Sequence, residues 1–282
     1  MKTFFLMALL FSMAALLSCD DSGERNLSSG LSGAQSNTSQ PSSPTINVND
    51  NTIIDNLKKN YQLELKEMGG GGRCLFHSLR EQISQAELVA VKAKWPKIIT
   101  DKVDTYSILG DDAKANLLRE ITMWEEKDFL DTKNKKALKY NALLLDEQAW
   151  VQEMAKDWHQ EIAGSSADKT RDWFNKSMAD SSGQEAIWQF VIANRDAYWA
   201  KTSCETNWAG TAEAIAIARA INRPLKMFGI DQASSATGPK YDDEGKVLPY
   251  AEYLFVGAGK KALLVFQTNG GGHYKMLVPI PL

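Results

Sequence analysis

Pro224 separates two textures of sequence, and their order constrains the fold more than any other feature. From about 111 to 200 the chain is rich in Ala, Leu, Lys, Glu and Gln, residues that give up little freedom in a helix. From Pro224 onward it turns to "PLKMFGI" (224–230), "EYLFVG" (252–257), "KALLVFQT" (261–268) and "HYKMLVPI" (273–280). These are short β-branched and aromatic runs, parted by Gly- or Asp-rich turns. Helices first and a meander of strands after them argue against a βαβ repeat. The expectation is an α+β arrangement within one domain.

The helical part carries its own punctuation. Gly164-Ser165-Ser166 and Ser181-Ser182-Gly183 read as helix breaks. Trp124, Trp150, Trp158, Trp173 and Trp188 are scattered between them, most simply as aromatics packed between helices. After Thr211 the residues Ala212, Ile215, Ala218 and Ile221 keep helical spacing until Pro224 stops it. Residues 53–68 are short, charged and partly helical in pattern.

The N-terminal residues read as lying outside the fold. Lys2 precedes an apolar run over 4–17 broken only by Ser12. The run is short for a membrane span and has the form of a signal peptide, 1–18. Its end, Leu16-Leu17-Ser18-Cys19 followed by Asp20-Asp21, resembles the lipobox of bacterial lipoproteins. That resemblance implies cleavage before Cys19 and lipid on its thiol. It also implies a bacterial cell envelope protein held to a membrane through Cys19. Residues 19–52 are then full of Ser, Asn, Gly and Pro, and read as a disordered tether with a reach of roughly 30 Å. Residues 53–282 remain for the folded domain. The net charge of −3 gives no basic footprint for nucleic acid.

Without Cys19, the thiols are Cys74 and Cys204. Two cysteines do not make a disulfide scaffold; one bridge between them or at least one working thiol both stay open. Cys74 stands in "GGGGRCLFHSLREQI" (69–83), where four glycines run into a helix with Leu75, Leu79 and Ile83 along its core stripe and Cys74 and Ser78 beside it. Four glycines cost entropy to order, which makes sense where backbone must pass close to something. No Gly-Lys-Ser/Thr follows, so this is not a phosphate loop. No CxxC or HxxxH pair offers a zinc site, and no cofactor or metal is expected.

Cysteine nucleophilic chemistry fits the pattern better. A helix N-terminus and a nearby imidazole both favour the thiolate. Of the three histidines, His77 lies one turn into the Cys74 helix and His159 in "WHQEI", whereas His273 follows Gly270-Gly271-Gly272 and opens the last strand. The glycine amides before Cys74 could then receive the oxyanion formed when a carbonyl is attacked.

The segment "GRCLFHSLREQI" (72–83) resembles the catalytic cysteine motif of the OTU (ovarian tumour) family of papain-like deubiquitinases, usually Asp-Gly-Asn-Cys-Leu-Phe. The segment "YWAKTSCETNWAGTAEAIAIARAINRPLKMFG" (198–229) is similar to that family's middle block, a Trp-Gly-Gly-x-x-Glu pattern matched by Trp208, Gly210 and Glu213. "GGHYKML" (271–277) resembles its closing His-Tyr motif. The resemblance implies a papain-like fold with a large helical insertion, about 85–200. It implies Cys74 as nucleophile, His273 as general base, and an oxyanion hole around Gly72, Arg73 and Cys74. Trp208 and Gly210 would line the substrate channel, with Glu213 structural. The partner implied is ubiquitin or a ubiquitin-like protein, whose Gly-Gly end a narrow channel admits by exclusion.

Two positions depart from the pattern. Gly71 stands where the family has an aspartate, and Lys275 where it has an acid or amide that orients the histidine. Lysine has no acceptor to offer an imidazole. Asn269 and Asn207 are candidates for the third member, with neither placed by sequence. A peptidoglycan-directed cysteine peptidase of the NlpC/P60 type is the second enzyme reading, although its Asp-Cys-Ser-Gly sequence is absent. An inactive OTU-fold binding protein is the third reading. A lipid anchor beside OTU-like blocks implies a domain exposed on a bacterial surface or delivered to a host cell.

Overall fold

The computed structural model describes residues 50–66, 73–202, 209–229, 240–249, 251–255, 260–268 and 273–280. Among these the chain is α+β. The helices are α1 (Asp50–Tyr61), α2 (Cys74–Arg80), α3 (Gln85–Val91), α4 (Lys97–Val103), α5 (Asp111–Lys135), α6 (Leu145–Ala163), α7 (Ala167–Ser177), α8 (Ser181–Thr202) and α9 (Thr211–Ala220). The strands are β1 (Leu63–Lys66), β2 (Leu225–Gly229), β3 (Lys240–Tyr241), β4 (Val247–Leu248), β5 (Ala251–Tyr253), β6 (Leu263–Thr268) and β7 (His273–Pro279).

Five strands form one sheet in the order β1-β7-β6-β2-β5, while β3 and β4 pair separately. The expected meander is corrected here. β2 and β6 run parallel, Leu225 opposite Leu263 through Gly229 opposite Gln267, with antiparallel strands on either side. β1 lies within the stretch read as partly helical. Its alternation of Leu63 and Leu65 with Glu64 and Lys66 spans only four residues, too few for a period-two signal, and its strand form comes from pairing with β7.

Both faces of the sheet are covered. Phe228, Phe266, Leu63 and Leu277 pack beneath Leu57 of α1. Asn56 secures that helix by accepting from the Val247 N–H at 2.7 Å. The opposite face, with Leu225, Met227, Leu263, Val265 and Tyr274, joins the main core with the helices. Within that core Trp150, Trp158 and Trp188 are fully buried, as expected for packing aromatics. Trp150 donates its indole N–H to the Ala212 carbonyl at 3.0 Å, tying α6 to α9.

The helix breaks fall close to their expected places. Gly164 ends α6 with φ +60°, a conformation that suits glycine. Ser181, Ser182 and Gly183 form the first turn of α8 and not a gap, because Asp180 accepts from the Gly183 N–H at 2.8 Å. α9 ends where Asn222 adopts φ +52° and the Arg223 N–H returns to the Ala218 carbonyl at 2.9 Å. Pro224 follows and forbids another turn. No described helix is long and apolar enough to cross a membrane.

Candidate active site around Cys74

α2 begins at Cys74 without a side-chain cap and without an acidic residue in its first turn. A helix start of this kind keeps amide donors and a positive dipole end for another acceptor. Its far end is anchored firmly. The Gln82 side chain accepts from the Leu264 N–H at 2.9 Å and donates to the Leu264 carbonyl at 2.7 Å. Buried Arg223 donates to the carbonyls of Gln82, Lys261 and Ala262. α2 is thereby held to the central strand β6.

The apolar stripe placed Cys74 and Ser78 beside the core, and the structure corrects this. Residues 74 through 79 are all buried, Cys74 to 1% exposure. α2 lies between the sheet and α5, so it has no solvent face for periodicity to reveal. Ser78 meets the cost of burial by donating to the Cys74 carbonyl at 2.7 Å.

Cys74 is a free thiol. Burial pushes its pKa up, opposed by the backbone amides of Tyr274, Leu75 and Cys74 and by the charge of Arg119. The helix-start donors expected to favour a thiolate are therefore present, but desolvation outweighs them.

The Tyr274 amide brings the first and last motifs together. It favours the Cys74 thiolate, and α2 packs along β7, although the two segments are two hundred residues apart. His273 is the first residue of β7, paired opposite Thr268, and Tyr274 pairs with Gln267. The Gln267 amide donates to the Tyr274 hydroxyl at 3.0 Å, which fixes the ring inside the core. Lys275 pairs opposite Phe266 within the same strand.

The surroundings of His77 disfavour its imidazolium form. Its Nδ1 faces an Arg80 guanidinium nitrogen at 3.1 Å and its Nε2 faces Asp112 at 3.4 Å. Burial lowers its pKa, and Arg80 lowers it further against the opposing pull of Asp112. His159 stacks on Trp173 at 4.2 Å and bonds Thr170 at 2.9 Å, far along the helical part.

Gly210 and Glu213 form the start of α9. The Gly210 N–H donates to Glu213 Oε2 at 2.7 Å, and the Ala212 N–H donates to Asp157 of α6 at 3.1 Å. A Cβ on Gly210 would lie 2.3 Å from Asp157 Oδ2, so glycine is required there by the packed carboxyl. Glu213 also accepts from the buried Tyr198 hydroxyl of α8. Glu126 of α5 completes the group, with Oε1 buried and, among the described residues, without a hydrogen-bond partner. Burial raises the pKa of all three carboxyls, and their mutual repulsion raises those of Glu126 and Asp157 further. Three such groups cannot all ionise together, so protons are retained. Among the described residues no group of three His, Cys, Asp or Glu side chains is placed to hold a metal ion.

Arg119, Glu126, Asp157 and Tyr198 carried no sequence signal as site residues. Each looks like one more polar position on a long helix. Of the other expected residues, Arg73 immediately precedes α2, where its guanidinium lies 3.5 Å from Asp112. Cys19, Gly71, Gly72, Cys204, Asn207, Trp208 and Asn269 lie outside the described residues. In comparisons with known proteins, no family model matches the chain and no curated protein does.

Proposed function

We propose that this protein is a papain-like cysteine isopeptidase of OTU type, acting after the C-terminal glycine of ubiquitin or a ubiquitin-like protein. The observation that carries this reading is the packing of α2 against β7, with the Tyr274 amide among the groups that favour the Cys74 thiolate. It joins the cysteine motif and the His-Tyr motif at one point, as the chemistry requires. The Cys74 sulfur attacks the carbonyl carbon of the terminal glycine while its proton passes to His273. The isopeptide C–N bond breaks, the lysine amine leaves with that proton, and a thioester remains on Cys74. Water, deprotonated by His273, then hydrolyses the thioester and restores the thiol. The backbone at Gly72, Arg73 and Cys74 receives the oxyanion, and Trp208 and Gly210 border the channel for the substrate tail. The same proposal takes 1–18 as a leader, Cys19 as the lipidated residue, 19–52 as a tether and 53–282 as the catalytic domain. Helices between 85 and 200 form its insertion.

A second reading, an inactive binding protein of the same fold, is favoured by the deep burial of Cys74 and its raised pKa. The deciding experiment is reaction of the purified protein with ubiquitin bearing a C-terminal thiol-trapping warhead. A covalent adduct is expected, lost in Cys74→Ala and slowed at least a hundredfold in His273→Ala, the scale of a lost general base. Absence of an adduct, with Cys74 still open to small alkylating reagents, removes ubiquitin as the substrate. A Cys74 inert to both reagents leaves the binding protein.

A further inference from the structure

We propose that the fork between β6 and β7, beside the far end of α2 from Cys74, is a binding site for a small carboxylate on a short apolar chain, held by Arg223 and Lys261. The proposal goes beyond the isopeptidase reading and does not depend on it.

The fork comes from the way the strands pair. β6 and β7 are partnered from Thr268 opposite His273 to Val265 opposite Met276, and no further among the described residues. Beyond that point β6 runs back to Leu263 along β2, while β7 runs on to Pro279 along β1. The two strands part, and Gln82 stands in the gap. Its side-chain amide takes both the N–H and the carbonyl of Leu264, at 2.9 and 2.7 Å, as a neighbouring strand would. The parting leaves a cleft of about 200 Å³. At about 30 Å³ for each water, that is room for roughly seven waters or for one small acid.

The cleft joins an apolar wall to a cationic one. Leu264, Met276 and Val278 line it from the two strands, and Arg223 and Lys261 line it from the segments before β2 and β6. Arg223 is 5% exposed, and its guanidinium carries five N–H donors. Nε donates to the Lys261 carbonyl at 2.8 Å, Nη1 to the Gln82 carbonyl and to Glu87 at 3.2 Å, and Nη2 to the Ala262 carbonyl at 3.2 Å. The fifth N–H, on Nη2, has no acceptor among the described residues. Lys261 is exposed and, among the described residues, forms no salt bridge. The acids nearby are matched already, Glu87 by Arg223 and Glu81 by Arg80, each at 3.2 Å. A carboxylate completes this arrangement. It accepts from the remaining guanidinium N–H in a charge-assisted bond and meets the Lys261 ammonium, while its chain covers the apolar wall. A neutral amide lacks the charge, and a phosphate ion lacks the chain.

The test is methyl NMR of the full chain, titrated at neutral pH with 4-methylpentanoate, with 4-methylpentanamide and with inorganic phosphate. The acid should shift the methyls of Leu264, Met276 and Val278 in a saturable way. The amide should bind at least about tenfold more weakly, the scale of a lost hydrogen bond to a charged group. Lys261→Gln should weaken the acid about threefold, as expected for an exposed charge. Val278→Trp fills the cleft and should abolish the saturable shifts. Lys261→Gln lies on the surface and keeps the test open if the Val278→Trp chain does not fold. Absence of saturable shifts at these methyls overturns the proposal, as do equal affinities for acid and amide. Binding retained in a folded Val278→Trp chain overturns it too. Phosphate binding as tightly as the acid would remove the apolar wall from the site and with it the proposed ligand class.

Discussion

Two helices begin in the same core, and their first turns are used in opposite ways. α9 starts with its amides closed by carboxyls, Glu213 on Gly210 and Asp157 on Ala212. α2 starts with no side-chain cap and a sulfur lying among the amides of Tyr274, Leu75 and Cys74. The nearest acids belonging to the start of α5, Asp111 and Asp112, are mostly exposed and meet Arg80, Arg73 and His77. Both helix starts offer partial positive charge. At α9 carboxyls close it and secure the fold, and at α2 no side chain closes it.

The severest way to break the closed end is Gly210→Ala. The new methyl would sit 2.3 Å from Asp157 Oδ2, displacing the carboxyl that accepts from the Ala212 N–H, at a cost of about 3 kcal/mol for overpacking beside a buried polar group. Urea denaturation measures it. Asp157→Ala alone should cost about 1 kcal/mol through the lost cap. Because Asp157→Ala also removes the clash, the double variant should cost at least about 1 kcal/mol less than the two singles together. Strict additivity would show that Gly210 is required for some reason other than the Asp157 carboxyl.

How much of this was legible follows the same division. The end of α9 at Asn222 and Pro224, and the strands β2, β6 and β7, were written in local signals of breaker residues and β-branched runs. The sequence singles out Cys74 before a helix and His273 before a strand, and α2 packs along β7. What was illegible depends on tertiary contact. β1 is too short to declare itself without β7. α2 is buried all round, so its stripe misplaced Cys74. Arg119, Glu126 and Asp157 are polar residues in helices long enough to look solvated, and only the approach of α5, α6 and α9 turns them into buried charge. Glu213, read as structural, closes the α9 start.

The retained protons at α9 give a smaller effect with a definite sign. Glu126, Asp157 and Glu213 have pKa values raised by burial in the folded chain, against about 4 when unfolded. Below that ordinary range both states hold the protons and the contribution to stability is full. As pH rises toward the raised folded values, only the folded state still holds them. Stability then falls by about 1.4 kcal/mol per pH unit for each retained proton. Glu126→Gln removes one such group while keeping its shape. Urea titrations at pH 5, 6.5 and 8 should show a flatter slope for the variant and a gain over wild type that grows with pH. Parallel curves for wild type and variant would mean that Glu126 does not share in the retained protons.

The smallest effect belongs to the open end, and it tests whether exposed acids leave that end open. Asp112 is 70% exposed at its side chain and lies 3.5 Å from Arg73 and 3.4 Å from His77. Solvent screens pairs of this kind, and Asp112→Asn should change stability by no more than about 0.5 kcal/mol. Because Asp112, followed by Asp111, lifts His77 against burial and Arg80, its loss should lower the imidazole pKa, which NMR titration reads directly. The pH profile of Cys74 alkylation by iodoacetamide should stay where it is, since Asp112 is not among the groups that shift the thiol. A profile that moved with Asp112→Asn would place a carboxylate's field at the start of α2. The two helix starts would then differ in how well their acids are screened, not in whether they have them.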